Sequence, residues 1–185
     1  MLVNSKTLIA VSFGVMATLL FIALGTLPFQ MWDEGRVLTN TLEMHQSEAW
    51  FTTTFAGEPE FWNTKPGLLH WVQIASARLF GWTEWGLRFP SALAVLCWAA
   101  LAVGASRRLL GDARLGALAG LIAVVLPGYA GTHAALAADY DALLSLWMMS
   151  AFLCLWLALE RSPKWLFAFW VSLALAVLTK GIAGM

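Results

Sequence analysis

Charged residues in this chain come in short clusters, and the stretches between the clusters are almost wholly apolar. No charge falls between Thr7 and Trp32. Four further uncharged runs follow, at 89–106, 115–138 (interrupted only by His133), 142–159 and 165–179. At about 1.5 Å per residue, some 20 apolar residues in a helix cross a hydrocarbon core of about 30 Å. The pattern therefore predicts an all-α polytopic membrane protein with about five spanning helices, at 7–29, 89–106, 115–138, 141–159 and 165–185. The last of these is expected to be cut short, because the chain stops at Lys180-Gly181-Ile182-Ala183-Gly184-Met185 without a cap. A piece of a longer protein is the expectation.

Two segments have helical periodicity without the length of a span. Residues 32–46 place Leu38 and Leu42 four apart and Val37 and Met44 seven apart, the mark of an interfacial helix. Residues 67–80 are apolar but about 20 Å long as a helix, and carry His70, Gln73 and Arg78. Charge settles how the second one lies. With Lys6 inside and 67–80 not crossing, Arg107, Arg108, Arg114, Arg161 and Lys164 all fall on the cytoplasmic side, as the positive-inside rule requires. Residues 67–80 are thus predicted to lie in the interface or re-enter it, leaving 30–88 as one external loop.

That loop holds Asp33, Glu34, Glu43, Glu48, Glu58, Glu60 and Lys65, and it shares its face with Asp139 and Asp141 at the mouth of a later helix. Six of the eleven tryptophans lie in it, and tryptophan favours the headgroup level, so the loop is expected to rest on the membrane.

Composition agrees. The chain is 60% hydrophobic and 12% charged, with mean hydropathy +0.73; a soluble domain carries about 25% charged residues. The first run is too long, and lacks the cleavage site, for a removable signal peptide, and reads as a retained anchor. Net charge is zero, so no basic field points to nucleic acid. Cys97 and Cys154 sit in uncharged runs as packing residues, with no disulfide framework. Gly104, Gly116, Ala117, Ala119 and Gly120 suit close helix contact in lipid. No repeat or low-complexity linker is present.

The chemistry concentrates in four places. Trp32-Asp33-Glu34-Gly35-Arg36 puts two carboxylates at a helix exit, costly unless they face water, a metal or a substrate. They suit a general base, since like charges raise one another's pKa, or the ligation of a divalent cation. Equally, Asp33 suits an N-cap and Glu34 complements the helix dipole, with Arg36 in reach of either acid. Lys65-Pro66-Gly67 offers an ammonium at the surface, for a lipid phosphate or as a snorkelling anchor. Arg88-Phe89-Pro90-Ser91 starts a span, with Arg88 as a substrate contact or an interface anchor. Asp139-Tyr140-Asp141 offers two carboxylates to a divalent cation or a polar sugar, one of them explained by the dipole alone. His45, His70 and His133 lack metal-ligand spacing and read as packing residues. No phosphate loop, nucleophile elbow or zinc pattern occurs.

In order along the chain, Asp33-Glu34-Gly35-Arg36, Leu42-Glu43-Met44, Phe61-Trp62-Asn63-Thr64-Lys65-Pro66, Leu79-Phe80-Gly81, Leu87-Arg88-Phe89-Pro90-Ser91-Ala92, Asp141-Ala142-Leu143-Leu144 and Leu178-Thr179-Lys180-Gly181 resemble the amino-terminal module of the polyprenyl-phosphate-sugar glycosyltransferases. These GT-C membrane enzymes include dolichyl-phosphate-mannose–protein mannosyltransferases and lipid A aminoarabinose transferases. The resemblance implies an inverting transfer of a sugar from a polyprenyl-phosphate donor to a lipid, glycan or protein acceptor, on the external face of a bacterial inner membrane. It makes Asp33 the base and Glu34 its support, sets Lys65 on the leaving phosphate, and turns Asp141 toward the sugar or acceptor. Arg88 and Asp139 join the expected substrate contacts, and no nucleotide cofactor is implied. Thr64 and Gly67 depart from the aminoarabinose branch, which carries glutamate before the lysine and two prolines after it. A transporter or channel segment with Asp139 and Asp141 as ion ligands is the alternative, and a membrane scaffold a third; acidic clusters at a boundary rather than the midplane count against transport.

Overall fold

The computed structural model describes residues 4–26, 28–126 and 134–184. It is an α-helical polytopic membrane fold built around one long helix. Helix α1 (Ser5–Ala23) is capped by Asn4, whose side chain accepts from the Lys6 N–H at 3.1 Å. It buries the stripe Ser12, Met16 and Leu20, a four-residue repeat that keeps one face inside and leaves the rest for lipid. The first span, expected over 7–29, stops at Ala23, in a turn that leaves the Leu24 carbonyl free for Arg88.

Helix α2 (Asp33–Ser47) buries Val37, Leu38 and Met44 but leaves Leu42 exposed, so the expected Leu38–Leu42 stripe is shifted toward Val37, Thr41 and Met44. A two-residue hairpin that the hydrophobic pattern did not signal follows it. Strands β1 (Thr54–Phe55) and β2 (Glu58–Pro59) pair antiparallel through Ala56 and Gly57, both at positive φ as a tight hairpin turn requires. Helix α3 (Leu68–Phe80) packs Leu69, His70, Gln73, Ile74 and Ala77 inward against α2 and α4. At 13 residues it is too short to span.

Helix α4 (Glu84–Leu109) runs 26 residues and contacts α1, α3 and the two helices that follow it, α5 (Ala113–Val125) and α6 (Asp141–Glu160). Thr83 caps it through the Gly86 N–H. The helix starts before the expected Phe89, so Pro90 is its seventh residue, and the Gly86 carbonyl that the missing N–H leaves open accepts from the Ser76 hydroxyl. The buried face of α4 carries five alanines (Ala92, Ala94, Ala99, Ala102, Ala105), which let neighbours come close. On helix α5 (Ala113–Val125), Gly116 and Gly120 meet that face. A Cβ on Gly116 would run into the Ala102 carbonyl, and one on Gly120 into Ala99. Gly104 and Ala119, expected to pack in the same manner, do not.

Helix α5 corrects the third expected span. The run 115–138 reads as one helix, but α5 ends at Val125, and Leu126 turns to ψ 123° because Pro127 follows it. Residues 127–133, with His133, lie outside the described residues. Residues 134–140 are non-helical and mostly buried. Helices α6 (Asp141–Glu160) and α7 (Trp165–Lys180) complete the bundle, with a 3₁₀ turn over Gly181–Gly184. Among the described residues, four helices are long and apolar enough to cross a membrane, namely α1, α4, α6 and α7 with its 3₁₀ turn.

The polar chemistry collects at one end. Arg88 lies in the second turn of α4 and Arg107 and Arg108 in its last, about 30 Å apart along the axis. Arg114 is at that far end too, donating to Ser5 Oγ at 2.8 Å.

Candidate active site

An open cavity of about 290 Å³ lies where the starts of α2 and α6, the end of α7 and the segments before α3 and α6 converge. Asp33, Asp139 and Asp141 supply its carboxylates, Lys65 and Lys180 its ammonium groups, and Arg36, Val37, Trp62 and Asn63 the rest of its lining. Helix ends explain the charge pattern. Asp33 and Asp141 are the first residues of α2 and α6, where the dipole favours anions; Lys180 closes α7, where it favours cations. The Lys180 ammonium pairs with Asp141. Lys180 appeared in the sequence only as part of Leu178-Thr179-Lys180-Gly181; its visible signal was a lone cation ending an apolar run.

Of the residues expected to form the site, the fold brings Asp33, Lys65, Asp139 and Asp141 together. Glu34 and Arg88 do not line this cavity. They sit beneath it as a bidentate ion pair, Nε to Oε1 at 2.7 Å and Nη2 to Oε2 at 2.8 Å, with side chains 1% and 2% exposed. Glu34 also accepts the N–H groups of Gln30 and Ala138, each at 2.8 Å. Arg88 donates to the carbonyls of Leu24 and Pro28 at 2.9 and 3.0 Å. This clamp ties the end of α1, the start of α2, the start of α4 and segment 134–140 to one point. Burial works to raise the Glu34 carboxyl, but Arg88 and the two backbone donors outweigh it and hold it below the ordinary value.

Asp33 stands one residue inside α2. The N-cap position belongs to Trp32, which makes no side-chain cap bond. Arg36 reaches neither Asp33 nor Glu34 in an ion pair; it pairs with Glu60, Nε to Oε2 at 2.8 Å, and lies over the Phe55 ring. That guanidinium, against some opposing burial and with help from the Trp62 and Asn63 N–H groups, lowers Glu60 to about 2. The expected pairing of Asp33 and Glu34 on a metal does not fit this donor set, because both Glu34 oxygens are already taken. Among the described residues, no group of three or more His, Cys, Asp or Glu could hold a metal ion.

A buried polar network lies behind Lys65. Its Nζ donates to Asn63 Oδ1 at 3.1 Å and stands 4.9 Å from the centre of the Tyr140 ring. Asn63 Nδ2 lies 3.0 Å from the Tyr140 hydroxyl and 2.9 Å from Asn40 Oδ1. Tyr140 meets His70 Nε2 at 3.1 Å, and His70 Nδ1 meets Thr41 Oγ1 at 2.7 Å. His70 is thus a buried packing residue with both ring nitrogens hydrogen-bonded. Burial first, and the Lys65 charge second, push it down to about 4; burial pushes the Tyr140 hydroxyl up. His45 stacks on Trp82 at 4.8 Å.

The family described as dolichyl-phosphate-mannose-protein mannosyltransferase matches residues 64–185. A curated undecaprenyl phosphate-alpha-4-amino-4-deoxy-L-arabinose arabinosyl transferase 2 of Sodalis glossinidius is 28% identical over 93% of this chain and 32% of its own length. An undecaprenyl phosphate-alpha-4-amino-4-deoxy-L-arabinose arabinosyl transferase of Aeromonas salmonicida is 32% identical over 71% of this chain and 23% of its own. Crystal structures of ArnT from Cupriavidus metallidurans superpose with TM-scores of 0.83 (bound to undecaprenyl phosphate) and 0.82 (apo), at 26% identity, over 98% and 97% of this chain and 34% of ArnT. The chain spans about a third or less of the length of these relatives.

Proposed function

The chain belongs to the dolichyl-phosphate-mannose-protein mannosyltransferase family, and from that premise we propose that it forms the amino-terminal, site-bearing part of a membrane glycosyltransferase that draws on a polyprenyl-phosphate sugar. The observation that carries the reading is the single cavity lined by Asp33, Asp139 and Asp141 on one hand and Lys65 and Lys180 on the other. Sugar transfer from a lipid phosphate needs a base for the acceptor hydroxyl and a cation for the departing phosphate, within one sugar's reach. The ArnT neighbour crystallised with undecaprenyl phosphate supports a polyprenyl-phosphate ligand.

In this reading Asp33 takes the proton of an acceptor hydroxyl as its oxygen attacks the anomeric carbon. The bond from that carbon to the phosphate oxygen breaks on the opposite face, inverting the centre. The polyprenyl phosphate leaves with its new charge against the Lys65 ammonium. Base assistance is worth about 10²–10⁴ in rate, and fixed charge at the leaving oxygen adds to it. Asp139 and Asp141 contact hydroxyl or amino groups of the sugar, with Lys180 releasing Asp141 or joining the phosphate. Glu34 and Arg88 hold the frame on which Asp33 sits. The acceptor is a lipid, glycan or protein hydroxyl. The site faces outward from a bacterial inner membrane, a placement supported by Arg107, Arg108 and Arg114 at the other end of the bundle.

Proteoliposomes carrying the full-length protein and a radiolabelled polyprenyl-phosphate sugar test this. Asp33→Asn is expected to abolish transfer while insertion and melting temperature stay as in wild type. Transfer at the wild-type rate in that variant removes Asp33 as the base.

A further inference from the structure

The polar network behind Lys65 has a direction. Lysine can only donate, so Asn63 must turn its Oδ1 to Lys65 and its Nδ2 to Tyr140 and Asn40. Tyr140 then accepts from Asn63, and its own proton goes to His70 Nε2. That leaves His70 Nδ1–H to donate to Thr41 Oγ1, Thr41 to share its one proton between Gln73 Oε1 at 2.7 Å and the Val37 carbonyl at 2.9 Å, and Gln73 Nε2 to end on the Ala138 carbonyl at 3.1 Å. A carbonyl can only accept, so the direction of the chain is set from both ends. The imidazole is fixed in its neutral, Nδ1-protonated form. His70, Thr41 and Gln73 are fully buried, as is the Tyr140 ring over which Lys65 lies.

We propose that Tyr140 and His70 are positioning residues for Lys65, holding its ammonium at the cavity through Asn63 so that it meets a lipid phosphate without first losing side-chain freedom. The proposal rests on the reading of Lys65 as the phosphate ligand. A free lysine side chain has many rotamers to lose when it is held against a ligand. Here one N–H is spent on Asn63 and the cation is set over an aromatic face, leaving two N–H groups for a ligand. If Tyr140 loses its hydroxyl, Asn63 keeps only Asn40 Oδ1 as an acceptor for its amide and its hold on Lys65 loosens, while the ring and its packing remain.

The test is binding of undecaprenyl monophosphate against undecaprenol, the same lipid without phosphate, to the detergent-solubilised full-length protein. The readout is the ratio of the two affinities, with thermal melting followed alongside. Lys65→Ala is expected to bring the ratio close to one. Tyr140→Phe and His70→Leu are expected to lower it about tenfold, the worth of a hydrogen bond to a charged group, with undecaprenol binding unchanged. His70→Gln, whose amide oxygen replaces Nε2 as acceptor, is expected to keep it. Tyr140→Phe placed on Lys65→Ala is expected to change nothing further, since its effect runs through Lys65. A wild-type ratio in Tyr140→Phe, or a loss fully additive with Lys65→Ala, overturns the positioning role while leaving Lys65 as the ligand. A Lys65→Ala protein with the wild-type ratio overturns the phosphate reading and the positioning role together. If His70→Leu does not fold, the Tyr140→Phe and His70→Gln pair decides.

Discussion

Replacing Glu34 by glutamine puts an amide nitrogen where Glu34 Oε2 now accepts from two donors, Arg88 Nη2 and the Gln30 N–H, both at 2.8 Å. Either two donors face each other there, or the amide flips and faces Arg88 Nε and the Ala138 N–H instead. In both orientations the Arg88 cation, 2% exposed, loses its counter-charge. Breaking a buried pair by removing one partner costs about 3–5 kcal/mol, a large share of a net stability of about 5–15 kcal/mol. For a chain of this size that is a fall in melting temperature of about 6–20 °C. Arg88→Met strands the Glu34 carboxylate and is expected to cost a similar amount. The double variant Glu34→Met/Arg88→Met removes both charges and is expected to melt above the sum of the single losses. It stays below wild type, because the Gln30 and Ala138 N–H groups and the Leu24 and Pro28 carbonyls lose their partners. Arg36–Glu60 serves as the internal comparison. Arg36 is 34% exposed, although Glu60 is only 3%, so Glu60→Gln leaves a cation with access to water and is expected to cost less than Glu34→Gln. Thermal unfolding of the solubilised protein, followed by tryptophan emission, reads all four. Glu34→Gln melting within about 2 °C of wild type, below even the smallest of these shifts, would refute the clamp.

Acid should loosen the fold in two steps. His70 has a folded value of about 4 against an ordinary 6.5, so its contribution is fully present above pH 6.5 and is lost as pH falls toward 4, about 3 kcal/mol in all. Glu60, lowered from 4.5 to about 2, contributes above pH 4.5 and loses that contribution below it; His70→Gln is expected to flatten only the upper step of a stability profile taken from pH 7 to 3. Lys180→Met should cost less than about 1 kcal/mol of stability, because its pair with Asp141 is partly exposed, while weakening undecaprenyl monophosphate binding. Gly116→Val should overpack the contact with α4 and cost at least about 1–3 kcal/mol, where Gly104→Val, facing no backbone, should cost less.

The spanning helices were legible because a membrane segment is a one-dimensional signal: its length and lack of charge are local, and α1, α4, α6 and α7 follow the uncharged runs closely. The run 115–138 misled because hydropathy carries no backbone information. Leu126, just before Pro127, turns extended, and Ala134, Ala135, Ala137 and Ala138 are buried in irregular chain rather than helix. Asp33, Lys65, Asp139 and Asp141 were legible as candidates, since charge at the edge of an apolar run stands out. Their partners were not. Glu34 and Arg88 are 54 residues apart, and Asn63 and Tyr140 are 77; nothing local says that one carboxylate of an adjacent pair turns inward to an arginine while the other stays at the cavity. Which side chain is frame and which is site depends on where four separate segments meet. Burial makes that choice, because a carboxylate or an imidazole removed from water must find its full set of partners, and only the packed chain supplies them.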